Sequence, residues 1–140
     1  LGFAAGLHTG GAYPRRLAAL LPQLDWVALD VKAAESDYPL VTGIDGSGTP
    51  ALASLDLVRS AGTAYEVRTT VHLALTPADA LERLARALAG RGVIRWILQP
   101  FRPTGCANER LVASAPGGTK LSTDLLGRLS AHVPIIEVRG

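Results

Sequence analysis

Short apolar runs alternate with amphipathic stretches along the whole chain, and each change of pattern carries its own turn signal. Residues 3–9 read as a strand closed by Gly10 and Gly11. Tyr13-Pro14 then opens a helix, because Pro at the first turn lacks only an N–H that would go unpaired there anyway. Leu17, Leu20, Leu21 and Leu24 give it an apolar face. Residues 26–32 (WVALDVK) form a second strand, and the Gly-, Asp- and Ser-rich segment 35–48 reads as a loop. Thr49-Pro50 repeats the helix-start signal, Leu52, Leu55 and Val58 supply the next apolar face, and Ala61-Gly62 ends it. Residues 65–72 (YEVRTTVH) are the third strand. Thr76-Pro77 starts a helix through Leu81, Leu84 and Leu88 that stops at Gly90 and Gly92. A fourth strand covers 96–101 and a loop 103–120. A last helix from Ser122 carries Leu125, Leu126 and Leu129, and the final strand is 134–138. Strands alternating with helices of this length predict parallel βαβ units, hence an α/β fold with a parallel sheet of about five strands. An open doubly wound sheet and part of a β/α barrel both satisfy that order.

No linker or shift of composition divides the 140 residues, so the expectation is one domain over 1–140. Hydrophobic residues make up 48% and charged residues 19%, which is globular composition. The formal charge of +2 and the absence of a Lys/Arg run argue against a nucleic-acid or membrane patch. No apolar stretch is long enough to span a bilayer. Cys106 is the single cysteine, so no disulfide forms within the chain, and a reducing, cytoplasmic setting is expected. The chain opens LGFAAGLHTGG, contains no Met, and starts as if already inside a strand, which predicts a piece of a longer protein.

Strands buried on both faces should be continuously apolar, and two of these are not. Side chains alternate with period two. In 26–32, Trp26, Ala28, Asp30 and Lys32 share one face and Val27, Leu29 and Val31 the other. In 65–72, Glu66, Arg68, Thr70 and His72 share one face and Tyr65, Val67, Thr69 and Val71 the other. Buried charges must be paired or line a wet cavity. In barrels and open sheets alike, ligands gather at the C-terminal ends of strands. The candidate functional edge is therefore His8, Thr9, Asp30, Lys32, Arg68, His72, Gln99 and Arg102. Asp30 with Lys32, or Glu66 with Arg68, could instead form ion pairs that only neutralise each other.

GLHTGG after a strand, LDVKA at the next strand end, YEVRTTVH and ILQPFRPTGC together resemble the later strands of radical S-adenosylmethionine (SAM) activating enzymes. The anaerobic ribonucleotide reductase activating group is the nearest resemblance, with the pyruvate formate-lyase activating enzyme a more distant one. The resemblance implies the C-terminal part of a partial (β/α)6 radical SAM barrel. It implies reductive cleavage of SAM to install a glycyl radical on a partner enzyme, an anaerobic ribonucleotide reductase, with no nucleic-acid or membrane partner. The implied SAM-binding residues are His8, Thr9, Asp30, Lys32, Arg68, Thr70, Gln99 and Arg102. Asp30 and Lys32 match the family's D-x-K, where the Lys meets the SAM carboxylate as a point charge. Arg68 matches a strand arginine that contacts SAM, and Thr70 and Gln99 would bond ribose or adenine. His8 stands where relatives carry Asp, and Arg102 where they carry His.

The family's [4Fe–4S] cluster hangs on a CxxxCxxC loop, and these residues contain none; the cluster is therefore expected only in the full-length parent. Cys106 reads as a loop or partly buried thiol. His8 and His72 read as hydrogen-bonding residues, since a metal site needs three or four supported ligands. Segment 43–48 lacks the spacing and Lys of a phosphate loop and reads as a flexible loop. Other radical SAM chemistry, a non-catalytic piece, and a barrel enzyme for a phosphorylated ligand are the alternatives.

Overall fold

The computed structural model describes residues 4–103, 108–114 and 118–140. Cys106 lies outside the described residues, as does the first residue of the expected 3–9 strand. The architecture is the expected α/β one: a five-stranded parallel sheet whose strands lie side by side in chain order, with helices between them. A doubly wound sheet reverses its strand order at a switch point. Here each strand is added beside the last, which is the progression of a β/α barrel. The chain divides into two compact units, Leu1–Arg68 and Thr69–Gly140.

In the first unit, β1 (Gly6–Thr9) leads to α1 (Pro14–Leu20), a 3-10 turn (Leu21–Gln23) and β2 (Trp26–Asp30). Pro14 sits in the first turn of α1 as its fixed φ allows, and Pro22 tightens the exit into the 3-10 turn. Leu17 and Leu21 pack with Val27 and Val58, flanked by Leu7, Leu24, Leu57 and Tyr65. Leu20, expected on the apolar face, is exposed instead, because the chain leaves the α-helical period at the 3-10 turn.

After β2 the segment read as a loop holds a 3-10 turn (Glu35–Asp37) and the short α2 (Tyr38–Thr42). Then α3 (Gly48–Ser60) begins just before the expected Thr49-Pro50 start. Thr49 does not cap it, since its hydroxyl donates to Glu35 Oε1 at 2.7 Å. The turn between β1 and α1 requires Gly11. Its φ is +69°, and an added Cβ would sit 2.7 Å from the Ser54 Cβ. The buried Ser54 hydroxyl donates to the Gly11 carbonyl at 2.7 Å, which ties α3 to the end of β1.

β3 (Ala64–Val71) runs from the first unit into the second. The second unit continues with α4 (Ala78–Gly90), β4 (Arg95–Pro100), α5 (Glu109–Ser114), α6 (Thr123–Ser130) and β5 (Ile135–Val138). Leu81, Leu84, Ala85 and Leu88 bury one side of α4, while Leu125 and Leu129 bury one side of α6. Full burial of such side chains contributes about 1.5–3 kcal/mol each. Ser122 caps α6 as its sequence position predicts, accepting the Leu125 N–H at 3.1 Å. At α4 the N-cap is Pro77, without a side-chain cap, and Thr76 is buried. α5 lies inside the segment read as a loop.

Candidate functional site

In the first unit, sheet register sorts the polar residues. Gly6, Leu7, His8 and Thr9 of β1 lie opposite Trp26, Val27, Ala28 and Leu29 of β2. Ala28, Leu29 and Asp30 then lie opposite Glu66, Val67 and Arg68 of β3. One face therefore carries Leu7, Thr9, Val27, Leu29, Tyr65 and Val67, and it is the face packed under the helices. His8, Trp26, Asp30, Glu66 and Arg68 share the other. Burial agrees: Val27, Leu29 and Val67 are fully buried, whereas His8 and Asp30 are exposed.

On that open face the charged groups are joined. Glu66 Oε2 accepts from Arg68 Nε at 2.9 Å and pairs with Arg68 Nη2 at 2.8 Å. Arg68 Nη1 reaches His8 Nδ1 at 3.4 Å. A guanidinium only donates, so this contact requires Nδ1 to be unprotonated, and a neutral His8 then carries its proton on Nε2. The His8 ring meets the Trp26 indole edge-on, with centroids 5.0 Å apart at 88°. The indole lies across the neighbouring strand, where a Cβ on Gly6 would fall 1.9 Å from Trp26 Cε2. Glycine at position 6 thus lets Trp26 sit beside His8.

Asp30 ends β2, opposite Arg68, and Lys32 follows two residues later; both are exposed. The ladder continues through Val31 N–H to Arg68 O at 2.9 Å. Lys32 N–H instead donates to the Tyr38 hydroxyl at 2.9 Å. Burial pushes the Tyr38 phenol above its ordinary pKa, the Lys32 N–H pulls the other way, and the Asp30 charge adds to the rise. The strand end thus presents an anion and a cation to solvent, over a fixed Arg–Glu pair. Such an arrangement suits a small ligand carrying both signs of charge.

Of the residues expected from sequence, the structure brings His8 and Arg68 into contact and sets Asp30 in register with Arg68, with Lys32 at the same strand end. Thr9 lies on the helix-covered face, and its Oγ1 accepts the Gly11 N–H at 3.1 Å. Thr70, Gln99 and Arg102 belong to the second unit, with Thr70 and Arg102 exposed and Gln99 half-buried. His72 there is only 4% exposed. Its Nδ1 accepts the Ala74 N–H at 3.1 Å, and its ring packs on Phe101 with centroids 4.6 Å apart. The Glu66–Arg68 ion pair weighed from the sequence is present, and Trp26 and Tyr38, which were not among the expected site residues, complete the first-unit cluster. Glu66 and Trp26 share the polar face by period two, but nothing in the sequence marks Tyr38.

A cavity of about 710 Å³ opens at the other end of the first unit, lined by Leu21, Leu24, Asp25, Leu57, Ser60 and Thr63 among others. None of the expected residues lines it, and in β/α folds that end of the strands serves stability. Among the described residues no group of three or more His, Cys, Asp or Glu is placed to hold a metal ion. With one thiol in 140 residues, the donor set does not fit a cluster held by three thiolates. Among the described residues no helix is long and apolar enough to cross a membrane.

The sequence matches no family model and no curated protein. Solved structures do match. One is the crystal structure of a domain of pyruvate-formate lyase-activating enzyme from Bacteroides vulgatus ATCC 8482, with a TM-score of 0.69 and 12% identity. The match covers 99% of this chain and 83% of that one. At this identity the likeness is one of fold.

Proposed function

We propose that the chain is the SAM-cradling part of a radical SAM activating enzyme. The observation that carries this is the fold shared over 99% of the chain with a domain of a pyruvate-formate lyase-activating enzyme. The polar face of the first unit supports it in chemistry. SAM carries a carboxylate, an ammonium and a sulfonium. Lys32 meets the carboxylate as a compact point charge, Asp30 takes the ammonium, and the Nε2 proton of a neutral His8 is a further donor. Arg68, gripped by Glu66 through two nitrogens, has its charge largely offset and is a fixed hydrogen-bond donor rather than a mobile clamp. At about 4 Å in a partly wet site, one such charge pair is worth about 1–4 kcal/mol before desolvation.

Bound SAM would supply a sulfonium–carbon bond that breaks on one-electron reduction. The residues here bind and orient it; the reducing cluster does not fit them, and its thiolates would come from outside these 140 residues. The partner we propose is a glycyl radical enzyme, with an anaerobic ribonucleotide reductase as the specific case, in a reducing, cytoplasmic setting. Equilibrium dialysis with labelled SAM tests the binding half. The wild-type protein should take up one equivalent, and Lys32→Ala should weaken uptake about tenfold or more, or ~1.4 kcal/mol. Equal uptake by the two would contradict the assignment.

A further inference from the structure

Lys32 lies just past the end of β2, and its position is not set by the sheet. Val31 N–H makes a bond to Arg68 O at 2.9 Å. The next N–H turns to a side chain, donating to the Tyr38 hydroxyl at 2.9 Å. Tyr38 is 2% exposed, so its ring is fixed by packing. Its own carbonyl accepts the Thr42 hydroxyl at 3.1 Å, which ties the first and last residues of α2. A lysine side chain is flexible, but its reach is set by where its backbone is pinned. Here the pin is a buried phenol.

We infer that Tyr38 is a positioning residue: it holds the Lys32 backbone so that the Lys32 ammonium and the Asp30 carboxylate together receive the amino-acid end of a zwitterionic ligand. The inference rests on the reading of this face as a SAM site. It adds a residue that touches no ligand and acts through Lys32.

Tyr38→Phe is the decisive variant, because it keeps the buried ring and removes only the hydroxyl. Two probes separate positioning from general damage: SAM, and 5′-methylthioadenosine, which has the nucleoside but no amino-acid end. The variant should bind SAM about fivefold more weakly, the size expected from one net hydrogen bond, and bind methylthioadenosine as the wild type does. Amide hydrogen exchange should rise at Lys32 and stay constant at Val31. Unchanged SAM affinity, or unchanged Lys32 exchange, would overturn the inference. Equal weakening of both ligands would also overturn it, since that marks a structural role only. If the wild type takes up no SAM, the site reading itself fails, an outcome distinct from a wild type that binds and a variant that binds equally well.

Discussion

The two compact units differ in how they hold several of their polar residues on and beside the strands. In Leu1–Arg68 the charges on the open sheet face remain at the surface. Arg68 and Glu66 are partly exposed, His8 stands edge-on to Trp26, and Asp30 and Lys32 end in solvent. In Thr69–Gly140, Thr69 and, just past the end of β3, His72 are drawn into structure, while Thr70 stays exposed. The buried Thr69 hydroxyl accepts the Trp96 Nε1–H at 2.8 Å, and His72 is buried against Phe101 with its Nδ1 occupied. Arg128 of α6 pairs with Glu82 and Asp79 of α4, and His132 Nε2, just past α6, lies 3.5 Å from Glu82 Oε1. A polar residue on a strand is thus a functional candidate only where its partners leave it reachable. His8, Asp30 and Lys32 meet that condition together at one strand end of the first unit.

The sharpest way to break this contrast is at Trp96. If the Thr69–Trp96 bond and the ring itself are structural, Trp96→Ala should cost about 3–5 kcal/mol in urea unfolding and, where the fold survives, leave SAM affinity alone. A large loss of affinity with little loss of stability would reverse the roles of the units. Lys32→Ala should behave in the opposite sense, with affinity falling about tenfold while stability moves by no more than about 0.5 kcal/mol. Ser122→Ala removes the α6 cap and should cost about 1 kcal/mol, again without touching ligand affinity.

The smallest effect concerns the α4–α6 ion pairs, which are exposed and screened. Hydrogen bonding from Arg128, and then from His132, holds the Glu82 carboxyl below its ordinary 4.5. Because the folded-state value is depressed, its stabilising effect is fully present above about pH 4.5 and disappears as pH falls through the lower folded value. Glu82→Gln should therefore lower the urea midpoint slightly at pH 7, and the gap from wild type should close in acid. A gap that persists unchanged at pH 2–3 would show that Glu82 acts through packing instead.

The five strands and helices α1, α3, α4 and α6 were legible because each changes the hydrophobic period and Gly or Pro marks most boundaries; α2 and α5 fell in segments that read as loops. Strand alternation also located the polar faces, so Asp30, Arg68 and Glu66 could be grouped from sequence. Four things were not legible. Period two cannot tell an exposed His8 from a buried His72, since burial depends on what packs above the strand. The Thr49-Pro50 and Thr76-Pro77 signals marked helix starts closely, yet neither threonine caps, because Glu35 claims one hydroxyl and the other is buried before Pro77. Tyr38 sits in a segment whose Gly, Asp and Ser content reads as loop, and only the folded chain shows its hydroxyl meeting Lys32. Register, which pairs Asp30 with Arg68 and His8 with Ala28, is a property of the assembled sheet.

The most direct test of the claim that the first unit holds the ligand face is amide and indole NMR on isotopically labelled protein titrated with SAM. The largest shifts are expected at His8, Asp30, Val31, Lys32 and Arg68, with the Trp96 indole N–H unmoved. Shifts centred on His72 and Trp96, or none at Lys32, would contradict it.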